Sequence, residues 1–214
     1  MTVNGGLDVT VLTDAAHSIT LTNTGFRFQA TVGDSASSIT DTTAFATVII
    51  KAGAGADTIT LGANATGSIT LAAHTGADAI AFGPSGASLT GLITISGLNN
   101  IGSDTIAFSG ESASTLSGFK QVTLADVTAT GANPAILAGW VAAADGAAGS
   151  GITGGAHTVT WFQYEGQTFL LESVAGQSAD AGTMAAGNTL VELTGTGYTF
   201  AHATGANGTV HLLG

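Results

Sequence analysis

The sequence predicts an all-β protein: a parallel β-solenoid or β-roll with about ten residues per strand-turn unit, followed by a small, mostly antiparallel β module. Two observations predict it. Glycine accounts for 32 of the 214 residues, and only 8% of the residues are charged. Glycine and threonine disfavour helices, whereas threonine, isoleucine and valine suit strands joined by glycine-rich turns. The second observation is a short β-branched unit that recurs along the first half of the chain.

The recurring unit is typified by Thr58–Leu61. Its leading apolar residues lie at positions 9, 19, 39, 49, 59, 69, 80, 93 and 106, and a strand near position 28 fills the one gap of twenty. Ten residues hold a strand and a turn but no crossover helix, so two units form one coil. Alternation predicts that Ile59 and Leu61 point inward while Thr58 and Thr60 face outward. An antiparallel meander with the same spacing is the rival arrangement.

The regular spacing fades after Phe108. A further strand is predicted over residues 121–124, and a short helix over 135–144 with Asn133 as its N-cap and Pro134 at its start. Residues 146–155 are rich in glycine and alanine, which is typical of a connection. We therefore predict a repeat region at 1–130, a connection at 131–155 and a C-terminal β module at 156–214.

The C-terminal module contains the clearest hairpin signal in the chain. Apolar strands are predicted over 159–164 and 167–172, and Glu165 and Gly166 form the two-residue turn between them. Another strand is predicted over 189–193.

The charge balance excludes some partners. Fourteen acidic residues face three basic ones, Arg27, Lys51 and Lys120, and the net charge is −11. Such a chain is repelled by nucleic acid and by anionic membranes, and no membrane insertion is expected. Its oxygen-rich side chains suit calcium better than zinc. There is no cysteine, so no disulfide framework is available.

Glycine-aspartate turns precede three of the repeat units. The sharpest is the run from Ala52 to Thr60, Ala-Gly-Ala-Gly-Ala-Asp-Thr-Ile-Thr, which resembles the calcium-binding nonapeptide of RTX β-rolls. That resemblance implies calcium held between stacked turns. The metal-site residues it implies are Gly53, Gly55 and Asp57, with weaker copies at Gly76 and Asp78 and at Gly102 and Asp104. The three aspartates are 21 and 26 positions apart rather than evenly spaced, and simple turn formation is the alternative.

A second resemblance lies nearer the C-terminus. Residues 158–172 contain W-F-x-Y-x-G-x-T-F, and residues 188–195 read N-T-L-V-E-L-T-G. Both segments are similar to the C-terminal part of RTX-type and S-layer-like bacterial proteins that leave the cell by type I secretion. The resemblance implies a secreted, extracellular protein that uses the type I secretion machinery.

Catalytic motifs are weak throughout the sequence. The five histidines lie outside H-E-x-x-H and other ligand spacings, so each is predicted at a turn or on a strand surface. We therefore expect that the protein is not an enzyme.

These features together favour an extracellular structural protein. It is expected to assemble with itself into a surface layer or filament, stabilised by calcium, because open sheet edges stack head to tail. The alternative is a secreted adhesin or carbohydrate-binding module with Trp140, Trp161, Tyr164 and Tyr198 as its aromatic platform. A polysaccharide-degrading enzyme is the third and least favoured class.

Overall fold

A computed structural model describes most of the chain. The described residues are 2–3, 8–13, 18–21, 27–41, 47–62, 65–74, 76–83, 92–99, 104–108, 118–146, 158–173, 188–202 and 209–213, with the backbone alone for 2–3, 8–13, 21, 118 and 202.

Strands dominate the described residues. The first twelve are β1 (Thr2–Val3), β2 (Asp8–Thr13), β3 (Ser18–Leu21), β4 (Arg27–Val32), β5 (Ser38–Asp41), β6 (Thr47–Ala52), β7 (Thr58–Leu61), β8 (Thr66–Leu71), β9 (Ala79–Phe82), β10 (Ile93–Ser96), β11 (Thr105–Phe108) and β12 (Gly118–Gln121). Two helices and five strands follow: α1 (Leu124–Ala129), α2 (Leu137–Ala144), β13 (Thr158–Tyr164), β14 (Gln167–Ser173), β15 (Thr189–Thr194), β16 (Thr199–His202) and β17 (Thr209–Leu213).

Up to β11, successive strands alternate between two sheets. Sheet 1 has the order β1-β3-β5-β7-β9-β11-β17-β16, and sheet 2 has the order β12-β13-β14-β15-β10-β8-β6-β4-β2. Neighbours from β1 to β11 are parallel, and Ser38 of β5 is in register with Thr58 of β7. A mostly β structure, compatible with the all-β class, and the parallel pairing of β1 to β11 are thus confirmed, and these pairs are not those of an antiparallel meander.

The space between the two sheets is filled by rows of aliphatic side chains. One row from sheet 1 is entirely isoleucine and fully buried: Ile19, Ile39, Ile59, Ile80 and Ile106. The predicted alternation is confirmed in β7, where Ile59 and Leu61 are buried, Thr58 is exposed and Thr60 is half-buried. Burial of these rows supplies the main favourable free energy of the stack.

The C-terminal strands continue both sheets. The predicted hairpin is confirmed: β13 and β14 are antiparallel, and Glu165 and Gly166 have φ of 47° and 80°, the left-handed conformation of a tight two-residue turn. Strand β15 is antiparallel to β14 and parallel to β10. In sheet 1, β17 pairs with β11 and β16 with β17, both antiparallel. The proposed division at residues 131 and 156 stays a prediction.

Helix α1 was not predicted, and helix α2 begins two residues later than predicted. Instead of a strand over 121–124, β12 ends at Gln121 and α1 begins at Leu124. The physical reason is a capping box, in which Thr123 and Asp126 satisfy each other's backbone amide groups. Helix α2 starts after the predicted position because the Asn133 side chain accepts a hydrogen bond from the Ala135 amide and forms a turn instead of an N-cap.

Both helices cover sheet 2 on the side opposite the isoleucine core. Val127 and Val141 pack there in a second core with apolar side chains of β13 to β15, namely Phe162, Phe169, Leu171 and Leu190. These strands are therefore buried on both faces. No helix in the described part of the chain is long and apolar enough to cross a bilayer.

Glycine at position 53 is required by how closely the turns stack, and we predict that Gly53→Ala is destabilising. A Cβ there would overlap the backbone carbonyl of Gly33 in the adjacent turn. Overpacking of this kind costs about 1–3 kcal/mol. Gly197→Ala is the matched control because a Cβ at Gly197 meets no atom within 4 Å. Urea unfolding should separate the two variants, and equal stabilities would contradict the stacking.

Candidate functional site

Three aspartates from different turns form one buried column, here called the aspartate column. Asp57, Asp78 and Asp104 each come directly before a strand of sheet 1, namely β7, β9 and β11. The register of these strands brings the three residues side by side. All three are at most 1% exposed. The structure therefore brings together the three aspartates that the sequence singled out.

Each carboxylate of the column fastens its turn to the preceding one. Asp57 Oδ1 accepts a hydrogen bond from the Ser37 amide at 2.8 Å, and Asp78 Oδ1 accepts one from the Asp57 amide at 2.7 Å. Asp104 Oδ1 continues the pattern by accepting from the Asp78 amide at 2.9 Å. Leaving a buried backbone amide without an acceptor costs about 1–3 kcal/mol, so this column is a substantial part of what holds the turns in register.

The glycines of the predicted metal site have a packing role. A Cβ on Gly55 would lie 2.6 Å from the Ala36 amide nitrogen, and one on Gly76 would lie 2.8 Å from the Ala56 amide nitrogen. Gly53 is equally restricted, and Gly102 lies outside the described residues. Close stacking of turns thus explains the three described glycines without a bound ion, and their role in metal binding stays a prediction.

His74 joins the column from the turn between β8 and β9. Its side chain is fully buried. Nδ1 lies 2.6 Å from the carbonyl oxygen of Ala72. Nε2 lies 3.0 Å from Asp104 Oδ2, 3.1 Å from Asp104 Oδ1 and 3.4 Å from Asp78 Oδ2. A second hydrogen bond, from the Asn99 side chain to the His74 carbonyl, fixes the turn.

The hydrogen-bond pattern requires a proton or a metal ion between Nε2 of His74 and the two carboxylates. A carbonyl oxygen only accepts, so the proton of the Ala72 contact belongs to Nδ1. In the neutral ring, the lone pair of Nε2 would then point at the carboxylates of Asp78 and Asp104. That arrangement is repulsive unless a proton or a metal ion lies between them.

The electrostatics of the cluster agree with this requirement. Burial by itself lowers the pKa of His74, but the Ala72 carbonyl and the carboxylates of Asp104 and Asp78 raise it above its usual value. Burial raises the pKa of Asp57 to about 6, with the Ser37 amide opposing the shift and Asp78 adding to it. Burial likewise raises the pKa of Asp78.

His74 lies in a turn, which is one of the two placements predicted for the histidines, but its burial against Asp78 and Asp104 was not predicted. A single histidine has no spacing that identifies it, and Asp104 is 30 residues further along the chain. The one local signal is that His74 lies four residues before Asp78, within the same turn.

A calcium site of the kind that the RTX resemblance implies is incomplete among the described residues. Calcium takes about 6–8 oxygen ligands. In the described part of the column, two buried carboxylate oxygens accept no hydrogen bond, Asp57 Oδ2 and Asp78 Oδ2. His74 Nε2, which lies 3.4 Å from Asp78 Oδ2, is a nitrogen and not an oxygen ligand. Residues 100–103 lie outside the description, and calcium at the column stays a prediction.

Of the two Trp and two Tyr residues, Trp161 is buried in the first core, and Trp140, Tyr164 and Tyr198 are half-buried and pack against the cores. Trp161 packs edge-on against Phe200 at 5.3 Å, and Tyr198 lies beside the same ring. Trp140 stacks on Phe162 and donates a hydrogen bond to the Pro134 carbonyl. Tyr164 donates one to the Ala135 carbonyl. Packing and backbone hydrogen bonds therefore account for the placement of all four.

A second buried polar cluster joins α2 to sheet 2. Asp145 follows the helix, and its Oδ1 accepts hydrogen bonds from Ser173 Oγ at 2.6 Å and Asn188 Nδ2 at 2.8 Å. Glu172, which precedes Ser173 in β14, is also fully buried. No sequence pattern identifies this cluster, because its members come from three segments with no common motif.

A scan of the chain against protein-family models finds no match, and a search of curated proteins finds none either. The similarity to RTX-type proteins therefore rests on the quoted motifs alone, and function has to be argued from the fold and the column.

We predict that Asp57→Ala destabilises the fold by about 1–3 kcal/mol, because it leaves the buried Ser37 amide without an acceptor. Asp34→Ala is the matched control: Asp34 Oδ1 also accepts from a backbone amide, that of Ala54 at 3.1 Å, but in an exposed position. Its loss should cost less, because water replaces the carboxylate. Urea unfolding in chelator compares the two, and an Asp34 variant at least as unstable as the Asp57 variant would contradict the role of the column.

The metal-free protein should become less stable as the pH rises from about 4 to 7. The pKa of Asp57 is about 6 in the folded chain against an ordinary 3.8, so the folded state binds this proton more tightly. Ionising Asp57 then lowers the free energy of unfolding by about 3 kcal/mol. The raised pKa of His74 acts in the same direction: its contribution is complete below its ordinary value of 6.5 and is lost as the pH rises further.

Unfolding in denaturant at several pH values, with EDTA present, measures this profile. The pKa of Asp126 is below its ordinary value of 3.8. The stability that this carboxylate contributes is therefore lost only at a pH below 3.8, outside the range from about pH 4 to 7. A stability that rises between about pH 4 and 7 would show that the buried carboxylates are stabilised as anions and would contradict the account.

Proposed function

We propose that this chain is a non-enzymatic, extracellular structural protein that assembles with itself into a surface layer or filament. The observation that carries the proposal is the constant pairing of each strand with its equivalent in the next unit, as in Ser38 with Thr58 and Thr58 with Ala79. On this proposal β1 to β11 form a β-solenoid with two strands per coil. A pairing that repeats within a chain is one that a second copy can continue.

The sheet edges support head-to-tail association. In the described part of the chain, β2 forms one edge of sheet 2 and β16 forms one edge of sheet 1, and neither has a strand beyond it. Edge strands offer unpaired backbone groups to a second chain. Strand β12, at the other edge of sheet 2, instead carries Lys120, which pairs with Asp126 of α1 at 3.0 Å. We propose that the end with β1 and β2 meets the end with β12 and β16 of the next copy.

The chemistry of the outer surface fits a structural role. In β5, β7, β9 and β11 of sheet 1, the residues that face away from the core are small and uncharged: Ser38, Thr40, Thr58, Thr60, Ala79, Ala81, Thr105 and Ala107. The carboxylates of the aspartate column are buried and not open to a substrate. Trp161 is buried in the core and Trp140, Tyr164 and Tyr198 pack against the cores, which supports the structural role over an adhesin.

The proposal also includes calcium binding and export from the cell. Copies that each carry a net charge of −11 repel one another, and calcium bound to acidic surface groups would reduce that repulsion. The resemblance of residues 158–172 and 188–195 to type I-secreted proteins supports export by that machinery and a location outside the cell.

Electron microscopy and sedimentation of the purified protein, moved from EDTA into millimolar calcium, test this proposal. We expect filaments or sheets with calcium, and magnesium is the control for charge alone. A protein that stays monomeric at high concentration with calcium present would overturn the assembly.

An edge variant locates the contact. Ala201→Lys places a charge on the edge strand β16, and we expect it to prevent or strongly reduce assembly. Thr58→Lys adds the same charge to an exposed position of the interior strand β7 and should leave head-to-tail assembly intact. If both variants assemble like the parent protein, the contact does not involve β16.

A further inference from the structure

The cluster around His74 has the features of a transition-metal site. The Ala72 carbonyl fixes the proton on Nδ1, and Nε2 faces two carboxylates across distances of 3.0 and 3.4 Å. A ligating histidine commonly donates its other ring N–H to a backbone carbonyl, which orients the ring and sets the tautomer. The contact with Ala72 is of that kind.

We propose that His74, Asp78 and Asp104 bind one divalent transition-metal ion, with Zn²⁺ as the best match. One ligand atom from each residue lies within 4.8 Å of the other two. In a tetrahedral zinc site with bonds of ~2.0–2.2 Å, neighbouring ligand atoms are ~3.4 Å apart. The distances from Nε2 to the two carboxylates, 3.4 and 3.0 Å, are close to that spacing.

A separate observation points to a ligand. Asp78 Oδ2 is buried and accepts no hydrogen bond among the described residues, while the Oδ1 of the same carboxylate accepts the Asp57 amide. The oxygen that lacks a donor is the one directed at His74 Nε2. A buried carboxylate oxygen without a donor is costly, and a metal ion removes that cost.

Charge and donor type select the ion. When ionised, the carboxylates of Asp78 and Asp104 carry two negative charges. A divalent ion balances both charges, whereas an imidazolium balances one of them. Imidazole nitrogen suits zinc and related metals, whereas calcium prefers a shell of oxygens. The three basic residues of the chain, Arg27, Lys51 and Lys120, are exposed and lie outside this cluster.

A bound ion would hold two turns together, because His74 and Asp78 lie in the same turn. His74 follows β8, Asp78 precedes β9 and Asp104 precedes β11, so the ion would join segments from successive levels of the stack. The ligand side chains of His74 and Asp104 are completely buried, which favours a structural ion that is bound as the chain folds and leaves slowly.

Metal binding to dispersed, untagged protein tests the proposal. After treatment with EDTA and dialysis, the protein should bind one Zn²⁺ per chain by calorimetry. With Co²⁺ it should show the visible absorption of a low-symmetry site with nitrogen and oxygen ligands. We expect His74→Gln to weaken Zn²⁺ binding ~100-fold or more. His211→Gln is the matched control, since His211 lies in β17 outside the cluster and should bind zinc as the parent protein does.

A measurement on the wild-type protein tests the proposal even if the His74→Gln variant fails to fold. X-ray absorption of the zinc-loaded parent protein should show one imidazole in the metal shell. Absence of stoichiometric zinc binding would overturn the proposal and assign the positive charge at Nε2 to a proton. Displacement of Co²⁺ by millimolar calcium, or a shell without imidazole, would overturn it in favour of an oxygen-only site. None of these results depends on whether the protein assembles.

Discussion

The hydrogen bond from a buried aspartate to the backbone amide of the preceding turn is the interaction on which the rest of the structure depends. A stack of parallel strands buries the turns that enter it, and their amides need acceptors. Asp57, Asp78 and Asp104 supply them at 2.7 to 2.9 Å. The same arrangement places like charges close together, so the column needs compensation by a positive charge, and His74 is positioned to supply or to hold it.

Two other constraints act on the same turns. Glycines at positions 53, 55 and 76 allow one turn to approach the next closely enough for the aspartate contacts, since a Cβ would meet backbone atoms. The row of buried isoleucines between the sheets fixes the register, because a slip by one residue would turn every core side chain toward solvent. Carboxylate, glycine and isoleucine therefore recur together because one stacked geometry requires all three.

Much of the repeat region was predictable because its period is visible in the sequence. The spacing of about ten residues predicted the strands, and alternation predicted which face of Thr58–Leu61 is buried. The glycine-aspartate turns predicted that the three aspartates belong together. His74 was not predictable, because its contact partner Asp104 lies 30 residues further along the chain. Helix α1 was missed because its capping box, Thr123 with Asp126, competes with a local strand pattern. The C-terminal hairpin extends sheet 2 through β15, which pairs with β14 and with β10. Local sequence patterns do not encode this long-range pairing.

Native-state hydrogen exchange of the backbone amides tests the central claim most directly, in EDTA so that no ion contributes. If the aspartate column anchors the stack, the amides of Ser37, Asp57 and Asp78 exchange only when the whole protein unfolds, as slowly as the amide of Ile80 in the buried core. The amide of Ala54, whose acceptor Asp34 is exposed, should exchange faster. Exchange of the three column amides at the rate of Ala54 would contradict the account, because the turns would then open independently of the sheets.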